Sequence, residues 1–435
     1  MNRRILAAAA STLVVSLSLG FGTGTASAAG TAGTLDSTFG QNGILLTNLG
    51  LDANGNQIQA VPGSVALQSN GDIVVAVGLG GPASGLVRFL PNGARDATFG
   101  NGGFAALPNL GIPSTRPGLA VQPDDKLVWA GEATANNGTN AAFAVVRFNA
   151  NGTLDQGFGV GGLATTTFAN ALVQGAQTVL VQPDGKIVAG GEALFGGRPP
   201  KDIGGLVRFN ANGSIDTGFG SGGQELVPSS NPVLASVIGV TALGLDAGGD
   251  IFTLPSHLEF SPAGQPDATL IPAAITTASG NGEVTFLPSG GFVATSEVVT
   301  GRQSDPDVRV TRFNPDGSTA STGTGIDYAG QNGALVVRDI PAVVAVQANG
   351  QAVVAGTHTE SGQFSSTSVF GLARVNPDGT LDPAFGTGGA LTTRIQGNDS
   401  VVLLLIQPDG KILAFGTSQN AAGVTELAIA RYLSQ

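Results

Sequence analysis

Apolar residues along this chain sit in short blocks, and each block is cut off by Gly, Asn, Asp or Pro. That is the pattern of short strands, and no stretch places apolar residues at helical spacing. The blocks also recur. Gln182-Pro183-Asp184-Gly185-Lys186-Ile187-Val188-Ala189-Gly190-Gly191 returns as Gln407-Pro408-Asp409-Gly410-Lys411-Ile412-Leu413-Ala414-Phe415-Gly416. Weaker copies in the same frame start at Gln68, Gln122, Asp246, Leu287 and Gln347. A fixed period of several tens of residues means one supersecondary unit, repeated, whose neighbours cover each other's apolar faces.

Each unit reads alike. Segment a is an apolar strand such as 119–122. A turn follows at Asn70-Gly71, Asp184-Gly185, Asn349-Gly350 or Asp409-Gly410, dipeptides that supply the positive φ of a tight hairpin. Segment b covers 73–77, 187–190 and 412–415, and a variable stretch comes next. Segment c ends in Val87-Arg88-Phe89, Val146-Arg147-Phe148 or Val207-Arg208-Phe209. A near-constant loop then leads into segment d, as at 163–168. Four strands per unit and seven units predict an all-β, seven-bladed β-propeller of four-stranded antiparallel blades, with an open solenoid as the alternative. The 41-residue interval between the frames at Asp246 and Leu287 leaves blade four little beyond Pro255, Ser256 and His257 for its b–c loop.

The two ends favour closure. Residues 33–48 read as the end of a c–d loop plus a strand d, and 427–432 reads as a strand c with no d after it. Donation of the N-terminal strand to the C-terminal blade removes both open sheet edges.

The phrases Gln-Pro-Asp-Gly-Lys-Ile, Val-Arg-Phe-Asn-x-(Asn/Asp)-Gly and Leu-Asp-x-x-Phe-Gly-x-Gly-Gly resemble the delta-60 repeat family of bacterial β-propeller proteins over residues 33–435. Blades four and five depart from it, with Glu259 in place of the Arg and 318–325 in place of the Asp/Phe loop. The resemblance implies a propeller and no defined activity.

Composition narrows the setting. Arg3 and Arg4, the small and apolar stretch 5–19 and Ala26-Ser27-Ala28 read as a secretory signal over 1–28, followed by a single propeller domain over 29–435. The paired arginines leave Sec and twin-arginine export both open. The expectation is a secreted, extracellular monomer without membrane insertion. The chain has no Cys, so thiolate metal sites, Cys nucleophiles and disulfides are excluded. Its net charge is −11, which works against nucleic acid as a partner.

The chemistry-bearing residues have mostly structural readings. Arg88, Arg147, Arg208 and Arg374 each precede an acid, Asp96, Asp155, Asp216 and Asp382, by the same spacing; Arg431 pairs with Asp36 through the donated segment. These predict ion pairs bracing the c–d loops. Phe39, Phe99, Phe158, Phe219 and Phe385 read as plugs between blades. Asn149, Asn151 and Asp155 have calcium-loop spacing but also an ordinary turn signature. His257 and His358, in different blades, read as solvated loop residues, and Trp129 reads as core. No catalytic residue, cofactor or metal site is assigned. Glu132, Glu192 and Glu297 share one offset, where strand b enters the variable loop, and suggest a cation or sugar site. With Arg198, Arg302, Asp305 and Glu360 they make a candidate recognition face, because the b–c loops vary where the a–b and c–d loops repeat. The resulting expectation is a non-enzymatic binding or surface-interaction scaffold for an unknown extracellular ligand, a glycan or surface protein. The alternatives are a carbohydrate-active lyase or hydrolase with acids in the central channel, and a structural cell-wall protein.

Overall fold

The computed structural model describes residues 31–50, 58, 60–77, 84–108, 110, 117–135, 140–196, 201–227, 239–246, 248–254, 258–267, 284–287, 291–299, 306–314, 318–323, 325–328, 336–361 and 366–435. It also describes two-residue strands at Ile5–Leu6, Ala8–Ala9 and Thr12–Leu13, within the expected signal; Ile5–Leu6 pairs with the inner strand of blade four.

Seven four-stranded antiparallel blades, each in the order a-b-c-d, form the propeller. Blade one is Ser64–Leu67, Ile73–Val77, Gly85–Phe89 and Phe104–Ala106. Blade two is Gly118–Val121, Leu127–Ala135, Asn140–Phe148 and Leu163–Thr166. Blade three is Ala171–Val181, Ile187–Phe195, Lys201–Phe209 and Gln224–Val227. Blade four is the shortest: Ala242–Asp246, Ile251–Leu254, Leu258–Phe260 and Pro266–Asp267. Blade five is Val284–Phe286, Phe292–Val299, Pro306–Phe313 and Thr319–Thr322. Here strand d forms inside the stretch that lacks the Asp/Phe loop, so the c–d connection is short. Blade six is Val336–Val346, Ala352–Ser361, Ser366–Val375 and Ala390–Thr393. Blade seven takes Asp399–Ile406, Ile412–Gln419 and Thr425–Tyr432 from the C-terminus. Its strand d is the N-terminal Ile44–Thr47, in register Leu427↔Thr47 to Ala430↔Ile44. The expected strand closure is therefore present.

The a strands of successive blades lie against one another, including the last against the first, except that at blades four and five the strand Ala8–Ala9 touches both a strands; the a strands thus form the inner wall and the d strands the rim. Among the described residues the buried apolar side chains form several clusters and not one core. Each of the seven buried apolar clusters fills the seam between two blades. The cluster holding Leu405, Leu413 and Ile429 against Val65, Val75 and Val87 is the seam that shuts the ring. Trp129 is core, as expected. The b and c strands run further than the sequence suggests: Phe195 and Glu360 are in strand b, not in a loop.

The turns follow from local chemistry. Gly71, Gly185, Gly350 and Gly410 all take positive φ at the a–b turn. Blade two places Asp125 there instead, at φ 61°. Its carboxylate accepts hydrogen bonds from the backbone N–H and hydroxyl of Ser69 in blade one, which offsets the strain of the left-handed backbone.

The repeated Arg, Asp and Phe make one device. Arg147 Nε donates to Asp155 Oδ2 at 2.8 Å, the guanidinium lies 4.6 Å from the centre of the Phe158 ring, and Nη1 reaches the carbonyl of Ala211 in the next blade. Arg88 does the same with Asp96, Phe99 and the Ala150 carbonyl. Arg208 uses Asp216, Phe219 and Pro262. Arg374 uses Asp382, Phe385 and Ser434. Arg431 uses Asp36, Phe39 and Pro91, across the closure. Each clasp thus ties one blade to the next, which goes beyond bracing its own loop. Lys126, Lys186 and Lys411 of the a–b turns add a second cation to Asp155, Asp216 and Asp36.

Burial opposes ionisation of Asp36, but the hydrogen bonds from Thr38, the charge of Arg431 and the hydrogen bond from Lys411 outweigh it and hold the carboxyl at about 2. Asp96, Asp155, Asp216 and Asp382 are lowered in the same balance of burial against clasp. A carboxyl depressed by folding stabilises the fold above its unfolded value near 3.9, and that contribution is lost as pH falls toward the folded value. Denaturant midpoints should hold from pH 7 to 5 and fall between about pH 4 and 2, with Asp36 alone accounting for about 2 kcal/mol. The Asp36→Asn variant should show a shallower fall. Parallel pH profiles for parent and variant would count against the clasp account.

Candidate functional site

On the a–b and c–d face Asp36, Asp96, Asp155, Asp216 and Asp382 are committed to the clasps. Asp155 faces both Arg147 and Lys126, and Asn151 Oδ1 accepts from the backbone N–H and hydroxyl of Thr153, so the calcium-like spacing there is a turn with its charge already balanced.

The opposite end of the blades carries two polar groupings. In the first, Glu132 of blade two and Glu192 of blade three converge. Glu192 pairs across strands with Gly175. A Cβ on Gly175 would fall 2.8 Å from Glu132 Cβ and 3.1 Å from its Cγ. The glycine therefore lets the two acids close on one another from neighbouring blades. Burial, and then the charge of Glu192, raise the Glu132 carboxyl above its ordinary value. Glu297 holds the same offset in blade five but has no hydrogen-bonding or ionic partner among the described residues, so the three acids do not form one cluster. Arg198, Arg302 and Asp305 lie outside the described residues, as does His257.

The second grouping is in blade six and was not legible as a site. His358 is not a solvated loop residue: it sits in strand b, 2% exposed, directly across from Asp339 in strand a. Its Nδ1 is 2.6 Å from Asp339 Oδ1 and its Nε2 is 3.4 Å from Glu360 Oε1. Asp339 Oδ2 also accepts from the Tyr328 backbone N–H at 3.0 Å. Burial opposes a charge on His358, but the hydrogen bond and charge of Asp339, then those of Glu360, outweigh it and raise the imidazole. Burial also raises Asp339, against the pull of His358 and the Tyr328 N–H, and Asp327 adds to the rise. Oxygens of Asp327 and Asp339 and a ring nitrogen of His358 lie within 4.8 Å of one another, a group able to hold a metal ion.

A frame count could have flagged part of this. Asp339, Asp399 and Gln174 each stand eight residues before a frame Gln (347, 407 and 182). All three receive the backbone of the incoming d–a loop: Gln174 from Phe168, Asp399 from Ile395, Gln396 and Gly397. Facing residues of strand b are Ala193, His358 and Ser418.

Fold and repeats together define a β-propeller repeat protein. Residues 68–99, 122–158, 182–219, 347–385 and 407–435 match the domain of unknown function DUF5122, β-propeller, so the chain is similar to that family over these repeats. Blades four and five, which lack the Arg and the Asp/Phe loop respectively, fall outside the matches. No curated protein matches in sequence. Among solved structures, a protein of unknown function from Dyadobacter fermentans DSM 18053 is 13% identical, with a TM-score of 0.41 over 90% of this chain and 100% of that one. A gluconolactonase from Xanthomonas campestris is 13% identical, with a TM-score of 0.32 over 93% and 98%. An α-L-arabinofuranosidase from Fusarium graminearum is 10% identical, with a TM-score of 0.36 over 86% and 93%. The expectation that this chain is not an enzyme is corrected: the solved propellers similar to it include enzymes, the gluconolactonase and the arabinofuranosidase among them. At this identity the likeness concerns the fold alone.

Proposed function

We propose that this chain is an exported propeller directed at a neutral, polyhydroxylated ligand, a glycan, bound on the b–c end of the blades with Glu132 and Glu192 at its polar centre. The observation that carries this reading is the meeting of those two acids across Gly175. Carboxylates accept hydrogen bonds from sugar hydroxyls, and an acid overall charge of −11 repels anionic ligands. The division of labour between faces supports it, since five aspartates of the opposite face are already held in clasps. The phrases shared with delta-60 repeats and the 1–28 leader support an exported member of that repeat class.

A second reading is favoured by the raised carboxyl of Glu132. A raised carboxyl beside a second acid suits general acid–base chemistry, with Glu132 as proton donor and Glu192 as base. Neutral-glycan arrays and a reducing-end assay separate the two. Parent protein should bind a neutral glycan, and Glu192→Gln should weaken binding at least tenfold, about 1.4 kcal/mol. If turnover also occurs, Glu132→Gln should abolish it while leaving binding in place. Absence of binding to any neutral glycan, or parental binding by Glu192→Gln, sinks the proposal.

A further inference from the structure

An Asn-Gly step is prone to rearrange, because glycine leaves its own nitrogen unshielded beside the asparagine side chain. Seven such steps lie within the described residues, and the repeats allow them to be compared. Asn70, Asn92, Asn151, Asn212 and Asn349 each spend their side-chain oxygen on the backbone N–H two residues on. The glycine N–H that follows each of them donates to a carbonyl, as Gly152 does to Asn149 at 2.9 Å. In the Asn42-Gly43 step, the Gly43 N–H donates to the Phe39 carbonyl at 2.8 Å. Asn101-Gly102 is different. Among the described residues the Asn101 side chain makes no hydrogen bond and the Gly102 N–H has no acceptor. The step opens the turn into strand d of blade one, where the other blades place Gln41, Val160, Ser221 and Thr387, so the fold does not require asparagine there. Gly102 and Gly103 take φ of 63° and 88°. The Asn101 N–H donates to the Phe104 carbonyl at 2.8 Å, while the return bond from the Phe104 N–H is stretched to 3.3 Å. Both Asn101 and Gly102 are exposed, and a Cβ on Gly102 would meet nothing within 4 Å.

We propose that Asn101 is a site of spontaneous main-chain modification, the one among the described Asn-Gly steps where the folded protein first forms a cyclic imide and then an isoaspartyl linkage. Hydroxide takes the Gly102 N–H proton, and the nitrogen forms a bond to Cγ of Asn101. The Cγ–Nδ2 bond breaks and ammonia leaves, which closes a five-membered imide. Water then opens the ring at either carbonyl. Opening at Cγ leaves an ordinary aspartyl residue. Opening at the main-chain carbonyl leaves the chain running through Cβ and Cγ, an isoaspartyl linkage with one more methylene in the backbone. Nothing is oxidised or reduced, and hydroxide and water are the only co-reactants. At the five held steps two hydrogen bonds must break before nitrogen and Cγ can meet, and at Asn42 the bond from Gly43 must break. The product also has a structural consequence. Gly100, directly before Asn101, donates its N–H to the Asn151 carbonyl of blade two at 2.8 Å. A methylene added at that point loosens the contact between blades one and two, and either product adds a negative charge.

The test is incubation of the purified full chain in mildly alkaline buffer, followed over time by peptide mapping with mass spectrometry. The expected first change is a one-dalton gain in the peptide that carries Asn101. It should resolve into two products, of which the isoaspartyl one is methylated by an isoaspartyl methyltransferase. Conversion should outpace the five held steps at least tenfold and Asn42 several-fold. In urea all seven steps should convert at comparable rates, since the fold sets their order. Asn101→Ser copies the turn of blade three, so it should melt with the fresh parent and lose the fast phase. On ageing it should keep its melting temperature while that of the parent falls. Conversion of Asn101 no faster than the held steps in the folded chain, or the same order and spread of rates in urea as in the folded chain, overturns the proposal.

Discussion

Removal of residues 33–48 is expected to cost the protein its cooperative, monomeric fold. Without Ile44–Thr47, the C-terminal strand Thr425–Tyr432 becomes an open edge, able to pair with another copy. The same cut deletes the backbone bonds Asp36 N–H to Arg431 O, Gly33 N–H to Leu433 O, Leu433 N–H to Thr34 O and Arg431 N–H to Gly43 O. It removes Phe39, fully buried under the Arg431 guanidinium, and the Gly40 N–H that reaches the Asn92 carbonyl of blade one. At about 1 kcal/mol per hydrogen bond and about 2–3 kcal/mol for the ring, the loss is on the order of 5 kcal/mol or more, comparable to a domain's whole stability. Light scattering and thermal melting of the truncated chain check it. Addition of a peptide covering 31–50 should restore part of the transition. A truncated chain that melts as a monomer at the parental temperature would refute strand closure as a source of stability.

The second large effect is expected at the clasps. Arg147→Ala removes the partner of a buried carboxylate, the cation over Phe158 and the bond to the Ala211 carbonyl. Breaking a buried pair from one side costs about 3–5 kcal/mol, and Lys126, 3.3 Å from Asp155, offsets some of that, so about 3 kcal/mol is expected. Arg312→Ala is the internal comparison. Its acid position is occupied by Ala320, and its Nη2 donates to the Gly350 carbonyl with no carboxylate beside it among the described residues. Burial lowers its guanidinium for want of that partner. Loss of Arg312 should cost about 1 kcal/mol. Urea titrations giving equal losses at both positions would show that the acid, and hence the clasp, contributes little.

How far the sequence spoke depends on what repeats. Strand type, the a–b turns, blade number and closure were legible because each is written several times, so one degenerate copy is corrected by its siblings. The Arg–Asp spacing was legible too. What it could not show was that Nη1 of each Arg ends on the following blade, since the distance between Arg147 and Ala211 is set by ring curvature. The site residues suffered the opposite problem. Glu132 and Glu192 share an offset, which was visible, but their meeting depends on Gly175, whose role is spatial. His358 was misread because it occurs once. Without a sibling, a polar residue near a variable loop looks exposed, and only the longer strands of blade six bring it across from Asp339.

The clasps run one way, from blade to following blade, and the run has a gap. At the blade four–five seam Glu259 stands where an arginine would, and a carboxylate cannot donate to a carbonyl. The apolar filling described there centres on Phe252, Phe292 and Phe313. In mechanical terms six joints carry an arginine hook onto a carbonyl of the following blade, and the seventh has no arginine to supply one. A ligand wedged across two blades is therefore expected to strain this seam before the hooked ones, away from the strand that joins the two chain ends.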